Sequence, residues 1–182
     1  MSGEKRLILT FIVTLAILAA ETIGGYLSNS LALLSDAGHI FMDLLAIGLS
    51  LVAARISKRP PDKRATFGYE RVGLLAAFVN GLSLLVLAVL ILYESYQRLL
   101  SPPEINISLM LPVAFLGLAG NLAMAFILGH RHEDFNIRAV WLHILGDTLS
   151  SVAVIISGTI IYFTKWIYAD PISSLLIGSI II

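Results

Sequence analysis

The chain has 182 residues, of which 58% are hydrophobic and only 13% are charged, and its 12 basic and 12 acidic residues give a formal net charge of zero. This composition is typical of an integral membrane protein and excludes an ordinary soluble domain, while the balanced charge gives no indication of nucleic acid as a partner. Since there is no cysteine, thiolate metal sites, disulfide bonds and thiol catalysis are excluded as well.

Six apolar segments follow one another, and each approaches the roughly 20 residues that a membrane crossing needs. They cover residues 7–27, 31–56, 70–99, 107–129, 137–164 and 169 to the end. The first has no small-residue cleavage signal, so it predicts a permanent helix rather than a signal peptide. The sequence therefore predicts an all-α integral membrane protein, a bundle of six transmembrane helices. The sixth segment runs to Ile182 with no flanking charge or turn signal, so we expect this helix to be truncated here.

The basic residues predict the orientation of the bundle. Ten of them lie at the amino terminus, around the connection between the second and third segments, or around the connection between the fourth and fifth. They are Lys5, Arg6, Arg55, Lys58, Arg59, Lys63, Arg64, Arg71, Arg131 and Arg138. Only Arg98 and Lys165 lie near the opposite side. Because basic residues concentrate in cytoplasmic loops, the amino terminus is predicted to be cytoplasmic.

Two pairs of ionisable residues interrupt the apolar pattern. His39 and Asp43 lie in the second segment, and His143 and Asp147 repeat the same four-residue spacing in the fifth. On a helix this spacing separates two side chains by about 40° around the axis and about 6 Å along it, so each pair shares one face.

The depth of the two pairs indicates that they meet. At 1.5 Å per residue, His39 and Asp43 lie about 12 and 18 Å below the outer face, and His143 and Asp147 about 9 and 15 Å above the inner face. In a hydrocarbon core about 30 Å thick, both pairs are near the midplane. Each pair is on the second helix of a three-helix half, which is the arrangement of an inverted-repeat transporter with its site at the bilayer centre.

Two imidazoles and two carboxylates favour a divalent metal at that site. Four nitrogen and oxygen ligands suit tetrahedral Zn²⁺, whereas an all-oxygen set would suit Mg²⁺, Ca²⁺ or Mn²⁺. Two ionised aspartates are costly in lipid, and either one Zn²⁺ or two protons cancels their charge. Metal and protons compete for the same groups, so the pattern predicts metal/proton exchange, with protons as the counter-ion.

Other polar residues are open to more than one interpretation. Asp36 could support a ligand, form part of an outer gate or cap the start of its helix. Polar side chains elsewhere in the apolar segments favour packing hydrogen bonds, with ligand orientation as the alternative; these are Glu21, Asn80 and Asn121. His130 and His132 lie in the connection between the fourth and fifth segments. The interpretation as a solvated loop is favoured there over a loop that captures metal.

Three stretches carry a resemblance to a known family. The stretches "SNSLALLSDAGHIFMD", "KRPPDKRATFGYER" and "NIRAVWLHILGDTLSS" resemble the cation diffusion facilitator family, in particular its zinc-transporting members, and the resemblance covers essentially all of residues 1–182. It implies a transmembrane cation-efflux domain of six helices, proton-coupled export of divalent metal from the cytoplasm, and a homodimer. Carried over residue by residue, the transport site falls on His39, Asp43, His143 and Asp147. Histidine at the first position favours Zn²⁺, with Cd²⁺ or Co²⁺ as secondary substrates.

The chain also departs from that family. Members usually continue into a carboxy-terminal cytoplasmic domain with a ferredoxin-like fold, and we expect that domain to be absent from residues 1–182. The histidine-rich stretch of many relatives is reduced here to His130 and His132. We expect a multi-pass protein of the plasma (inner) membrane, with the lipid bilayer and divalent metal ions as its partners, and not an enzyme. Two alternatives remain: an intramembrane zinc-dependent hydrolase, although no glutamate adjoins either pair as a general base, and a structural membrane protein that transports nothing.

Overall fold

Six α-helices account for almost all of the described chain. The computed structural model describes residues 3–60, 68–69, 71–128 and 135–181, and within the helices it leaves out the side chains of residues 3–8, 10, 127–128, 135–144 and 180–181. The helices are α1 (Gly3–Ser28), α2 (Leu31–Ser57), α3 (Arg71–Leu100), α4 (Ile107–Leu128), α5 (Phe135–Thr164) and α6 (Ala169–Ile181). The predicted six-helix, all-α architecture is confirmed, and no strand occurs among the residues just given.

Long apolar helices expose their side chains on the outside of the bundle. Five of the described helices, α1 to α5, contain a stretch long and apolar enough to cross a membrane. Large apolar residues face outward from them, including Leu74, Phe78 and Phe126, whose exposed fractions are 76%, 67% and 84%. In water such surfaces would be unfavourable, but in a bilayer the lipid chains cover them. The chain is a multi-pass membrane protein.

The two halves of the bundle meet through corresponding helices. α1 contacts α4, α3 contacts α6, and α2 contacts α5, while α2 also packs on α1 and α3. Close approach of α1 to α4 depends on glycine: a Cβ atom at Gly24 would come within 2.6 Å of the Val113 side chain. The contact between α2 and α5 joins the two helices that carry the predicted His/Asp pairs.

The connection between α1 and α2 consists of only two residues. Asn29 adopts a left-handed conformation, φ 59°, which asparagine tolerates better than most residues. Ser30 is the N-cap of α2 and accepts a hydrogen bond from the Leu33 amide at 3.3 Å. This short turn fixes where α2 begins and hence the depth of its polar residues.

Asp170, at the start of α6, holds that same turn. Its carboxylate accepts hydrogen bonds from the Ser30 hydroxyl at 2.6 Å and from the Leu31 amide at 2.7 Å. The Ala32 amide adds a third at 3.3 Å. Unsatisfied amides at the first turn of a helix attract an acceptor, and here the acceptor comes from a helix about 140 residues away.

Candidate metal centre

The first half of the centre is a single helical turn of α2. His39 and Asp43 are one turn apart, so both side chains leave the same face of the helix, as the spacing predicts. His39 Nε2 lies 3.7 Å from Asp43 Oδ2. Their side chains are 20% and 24% exposed, so the pair borders an accessible space rather than the packed core.

The second half comes from α5. Asp147 Oδ1 lies 3.7 Å from the same His39 nitrogen, and the Asp147 side chain is 10% exposed. One donor atom from each of His39, Asp43 and Asp147 lies within 4.8 Å of the other two. Helices more than 100 residues apart therefore bring one nitrogen and two oxygen donors to one point.

The spacing of these donors suits a small tetrahedral ion. With metal–ligand distances of about 2.0–2.2 Å, neighbouring ligands of a tetrahedral Zn²⁺ are about 3.3–3.6 Å apart. The two 3.7 Å separations from His39 are close to that range. The third separation, between the two carboxylates, is at most 4.8 Å, so the three donors would have to move closer together to coordinate one ion.

His143 is the fourth ligand that the sequence predicts. Its backbone belongs to α5, one turn before Asp147, but its side chain lies outside the described residues. The four-ligand set therefore stays a prediction, of which three members come together. His130 and His132, the other histidines considered, also lie outside the described residues.

A second group of buried polar side chains lies beside the centre. We call it the outer polar cluster; it consists of Glu21, Asp36, Asn121 and Ser151, each 1% exposed. The Asn121 amide donates to Ser151 Oγ at 3.1 Å, and the Ser151 hydroxyl donates to Asp36 Oδ2 at 3.3 Å. Asp36 does not cap α2, since that end is capped by Ser30 and Asp170.

The sequence pointed to part of this cluster. Asn121 makes the packing hydrogen bond expected of it, whereas neither carboxylate oxygen of Glu21 has a hydrogen-bond partner among the described residues. The sequence does not predict a role for Ser151, because one serine in an apolar helix carries no distinctive pattern. The available signal was its position four residues, or one helical turn, after Asp147.

Taken together, the fold and the centre define a multi-pass membrane protein that gathers nitrogen and carboxylate donors between two antiparallel helices. Comparison with known protein families gives the same class. The chain belongs to the cation efflux family, because the family's cation efflux transmembrane domain matches residues 7–182.

Individual relatives are similar along nearly the whole chain. A zinc transporter ZitB of Pectobacterium atrosepticum is 44% identical over 182 residues, which are 99% of this chain and 57% of the relative. The metal cation efflux system protein CzcD of Cupriavidus metallidurans is 43% identical over 97% of this chain and 56% of its own length. A cadmium, cobalt and zinc/H(+)-K(+) antiporter of Bacillus subtilis is 36% identical over 100% and 59%, respectively.

These relatives are longer than this chain. The chain spans a little under three fifths of their length. All three are named as transport or efflux proteins, so the family is one of transporters and not of hydrolases.

Proposed function

We propose that this protein exports divalent metal from the cytoplasm across the bacterial inner membrane in exchange for protons, with Zn²⁺ preferred and Cd²⁺ or Co²⁺ as secondary substrates. The transport site is the set His39, Asp43, His143 and Asp147. The observation that carries this proposal is the convergence of His39, Asp43 and Asp147 from two helices within 4.8 Å. We further propose that the protein works as a homodimer.

Charge balance supports metal/proton exchange at this centre. Asp43 and Asp147 carry two negative charges when ionised, and in a membrane such charges are tolerated only when they are neutralised. One divalent ion or two protons does so equally well. Since metal binding requires the ligands to be deprotonated, the two kinds of cation displace each other.

The position of the centre suits alternating access. It lies between α2 and α5, which run in opposite directions and belong to different halves of the bundle. A rocking motion of one half against the other would open the centre to one side of the membrane and then to the other. Zn²⁺ would enter from the cytoplasm as protons leave, and would be released outward as protons return.

The names of the relatives support the choice of ions. ZitB is named a zinc transporter, and the Bacillus subtilis relative is named for cadmium, cobalt and zinc together with protons and potassium. A nitrogen and oxygen donor set is also the set that Zn²⁺ accepts readily. Both considerations favour Zn²⁺ over Mg²⁺ or Ca²⁺.

The test is Zn²⁺ flux into proteoliposomes under an imposed pH gradient. We expect the parent protein to move Zn²⁺ with the gradient, and Asp43→Ala and Asp147→Ala to reduce the rate at least 100-fold, because each variant loses one ligand and the charge balance. Glu94→Gln is the matched control, since this carboxylate is half exposed on α3 and pairs with Arg98, one turn away in the same helix, at 3.0 Å.

Two results would contradict the proposal. Flux of equal size in the two aspartate variants and in the parent would show that ions do not pass through this centre. Absence of flux from folded parent protein, with loss of stability as the only effect of Asp147→Ala, would favour the structural alternative.

A further inference from the structure

The outer polar cluster contains more acceptor atoms than its surroundings satisfy. Asp36 uses one carboxylate oxygen for the Ser151 hydroxyl, at 3.3 Å, while its Oδ1 has no partner among the described residues. Both carboxylate oxygens of Glu21 are likewise buried and without a hydrogen-bond partner among those residues. Three carboxylate oxygens are thus buried without a donor from the part of the chain that the structure describes, which is unfavourable unless another group neutralises them.

Gly117 on α4 makes the space in which the Glu21 carboxylate lies. A Cβ atom at this position would collide with Glu21 Oε1 and would lie 3.7 Å from Ser151 Oγ. The Glu21 carboxylate and the Ser151 hydroxyl that binds Asp36 therefore both line the space left by the missing side chain. Four helices, α1, α2, α4 and α5, each contribute one member of the cluster.

The cluster lies between the candidate metal centre and the side predicted to face outward. Asp36 is five residues from the start of α2, or about 7.5 Å, whereas His39 is about 12 Å from it. Glu21 is seven residues, or about 10 Å, from the outer end of α1. Measured from the outer ends of their helices, both carboxylates therefore lie at a shallower depth than His39.

We propose that the outer polar cluster is a second divalent-cation site, which receives the metal ion from the candidate metal centre before release. The proposal rests on the transport function given above and deepens it. Glu21 and Asp36 supply the charge that balances the ion, and Asn121 adds a carbonyl oxygen. Ser151, through its hydroxyl, holds Asp36 in place at 3.3 Å.

The chemistry of the two sites gives the transfer a direction. The centre contains an imidazole nitrogen, whereas the outer cluster offers oxygen donors only. Zn²⁺ binds nitrogen-containing sets more tightly than sets of neutral and anionic oxygen, so the outer site holds it more weakly. A weaker site on the exit side favours release and leaves the centre free to be reprotonated.

Calorimetric titration with Zn²⁺ alone, on the full chain in lipid nanodiscs, tests this proposal. We expect two binding steps in the parent protein. Glu21→Gln keeps the size of the side chain and should weaken the second step at least tenfold while leaving the first unchanged. Asp43→Ala should weaken the first binding step and leave the second unchanged. Loss of binding at the candidate metal centre and loss of binding at the outer polar cluster therefore give different titration curves.

A pair of glycine variants separates loss of the site from damage to packing. Gly117→Ala would push against the Glu21 carboxylate, and Gly120→Ala, one turn later on the same helix, against the Ile17 side chain. Both disturb the contact between α1 and α4, but only Gly117→Ala should weaken the second step. A single binding step in the parent, or a second step that survives Glu21→Gln and Gly117→Ala, would overturn the proposal.

Discussion

A single nitrogen atom of His39 links both carboxylates of the candidate metal centre. Nε2 lies 3.7 Å from Asp43 and 3.7 Å from Asp147. A hydrogen and a metal ion would each use the single lone pair of this nitrogen, so they exclude each other there. In the proposed exchange mechanism, competition between metal and proton therefore centres on His39 and its two neighbouring carboxylates.

His39 should also determine which metal is preferred. In His39→Asp the centre gains an oxygen donor in place of a nitrogen donor, which favours harder ions such as Mn²⁺ over Zn²⁺. We expect the ratio of Zn²⁺ to Mn²⁺ transport to fall about tenfold. This corresponds to a loss of roughly 1.4 kcal/mol in the free-energy difference between the two ions at the centre. Competition flux in proteoliposomes measures this ratio.

The control for this variant is the parent protein with both ions at equal concentration. An unchanged ratio in His39→Asp would show that metal preference is set elsewhere, for instance by access to the centre. Loss of transport of both ions would show that the imidazole is needed for transport and not only for selection.

At the scale of the helices, the sequence predicted some features well and others not at all. Every helix boundary agrees within a few residues, because long apolar runs and helix-breaking joints are local properties of the chain. His39 and Asp43 share a face for the same local reason. The bond between Asp170 and Ser30 joins residues 140 positions apart, and no local pattern encodes it. The same holds for the bond between Asp36 and Ser151.

Asp170 should be a major determinant of bundle stability. Asp170→Ala removes the acceptor for the Ser30 hydroxyl and for the Leu31 and Ala32 amides, all buried. Loss of a buried helix cap with charged hydrogen bonds should lower the free energy of unfolding by about 2 kcal/mol. Denaturant unfolding in detergent micelles, followed by circular dichroism, measures the change.

Glu94→Ala provides the comparison for that change. Its carboxylate is 48% exposed and forms an ion pair with Arg98 in one helix, a kind of pair that contributes less than about 1 kcal/mol. If both variants unfolded at the same denaturant concentration, the cap would not stabilise α2.

At the scale of the whole molecule, charge is distributed unequally between the two ends of the bundle. Lys58 and Arg59 follow α2, and Arg71 begins α3 at the same end. At the other end, Arg98 donates to the Asn29 carbonyl oxygen at 2.7 Å, so one of its few basic residues is engaged in the turn between α1 and α2. This asymmetry predicts that the end with Lys58 faces the cytoplasm.

Cysteine labelling tests the predicted orientation, because the chain contains no cysteine of its own. Lys58→Cys and Ser101→Cys place a single thiol at exposed positions on opposite ends of the bundle. In cells with an intact inner membrane and a permeable outer membrane, a maleimide that cannot cross the inner membrane should label Ser101→Cys only, and should label Lys58→Cys after that membrane is opened. The reverse labelling pattern would show that the bundle has the opposite orientation. The outer polar cluster would then lie on the cytoplasmic side of the candidate metal centre, and the predicted direction of metal transport would be reversed.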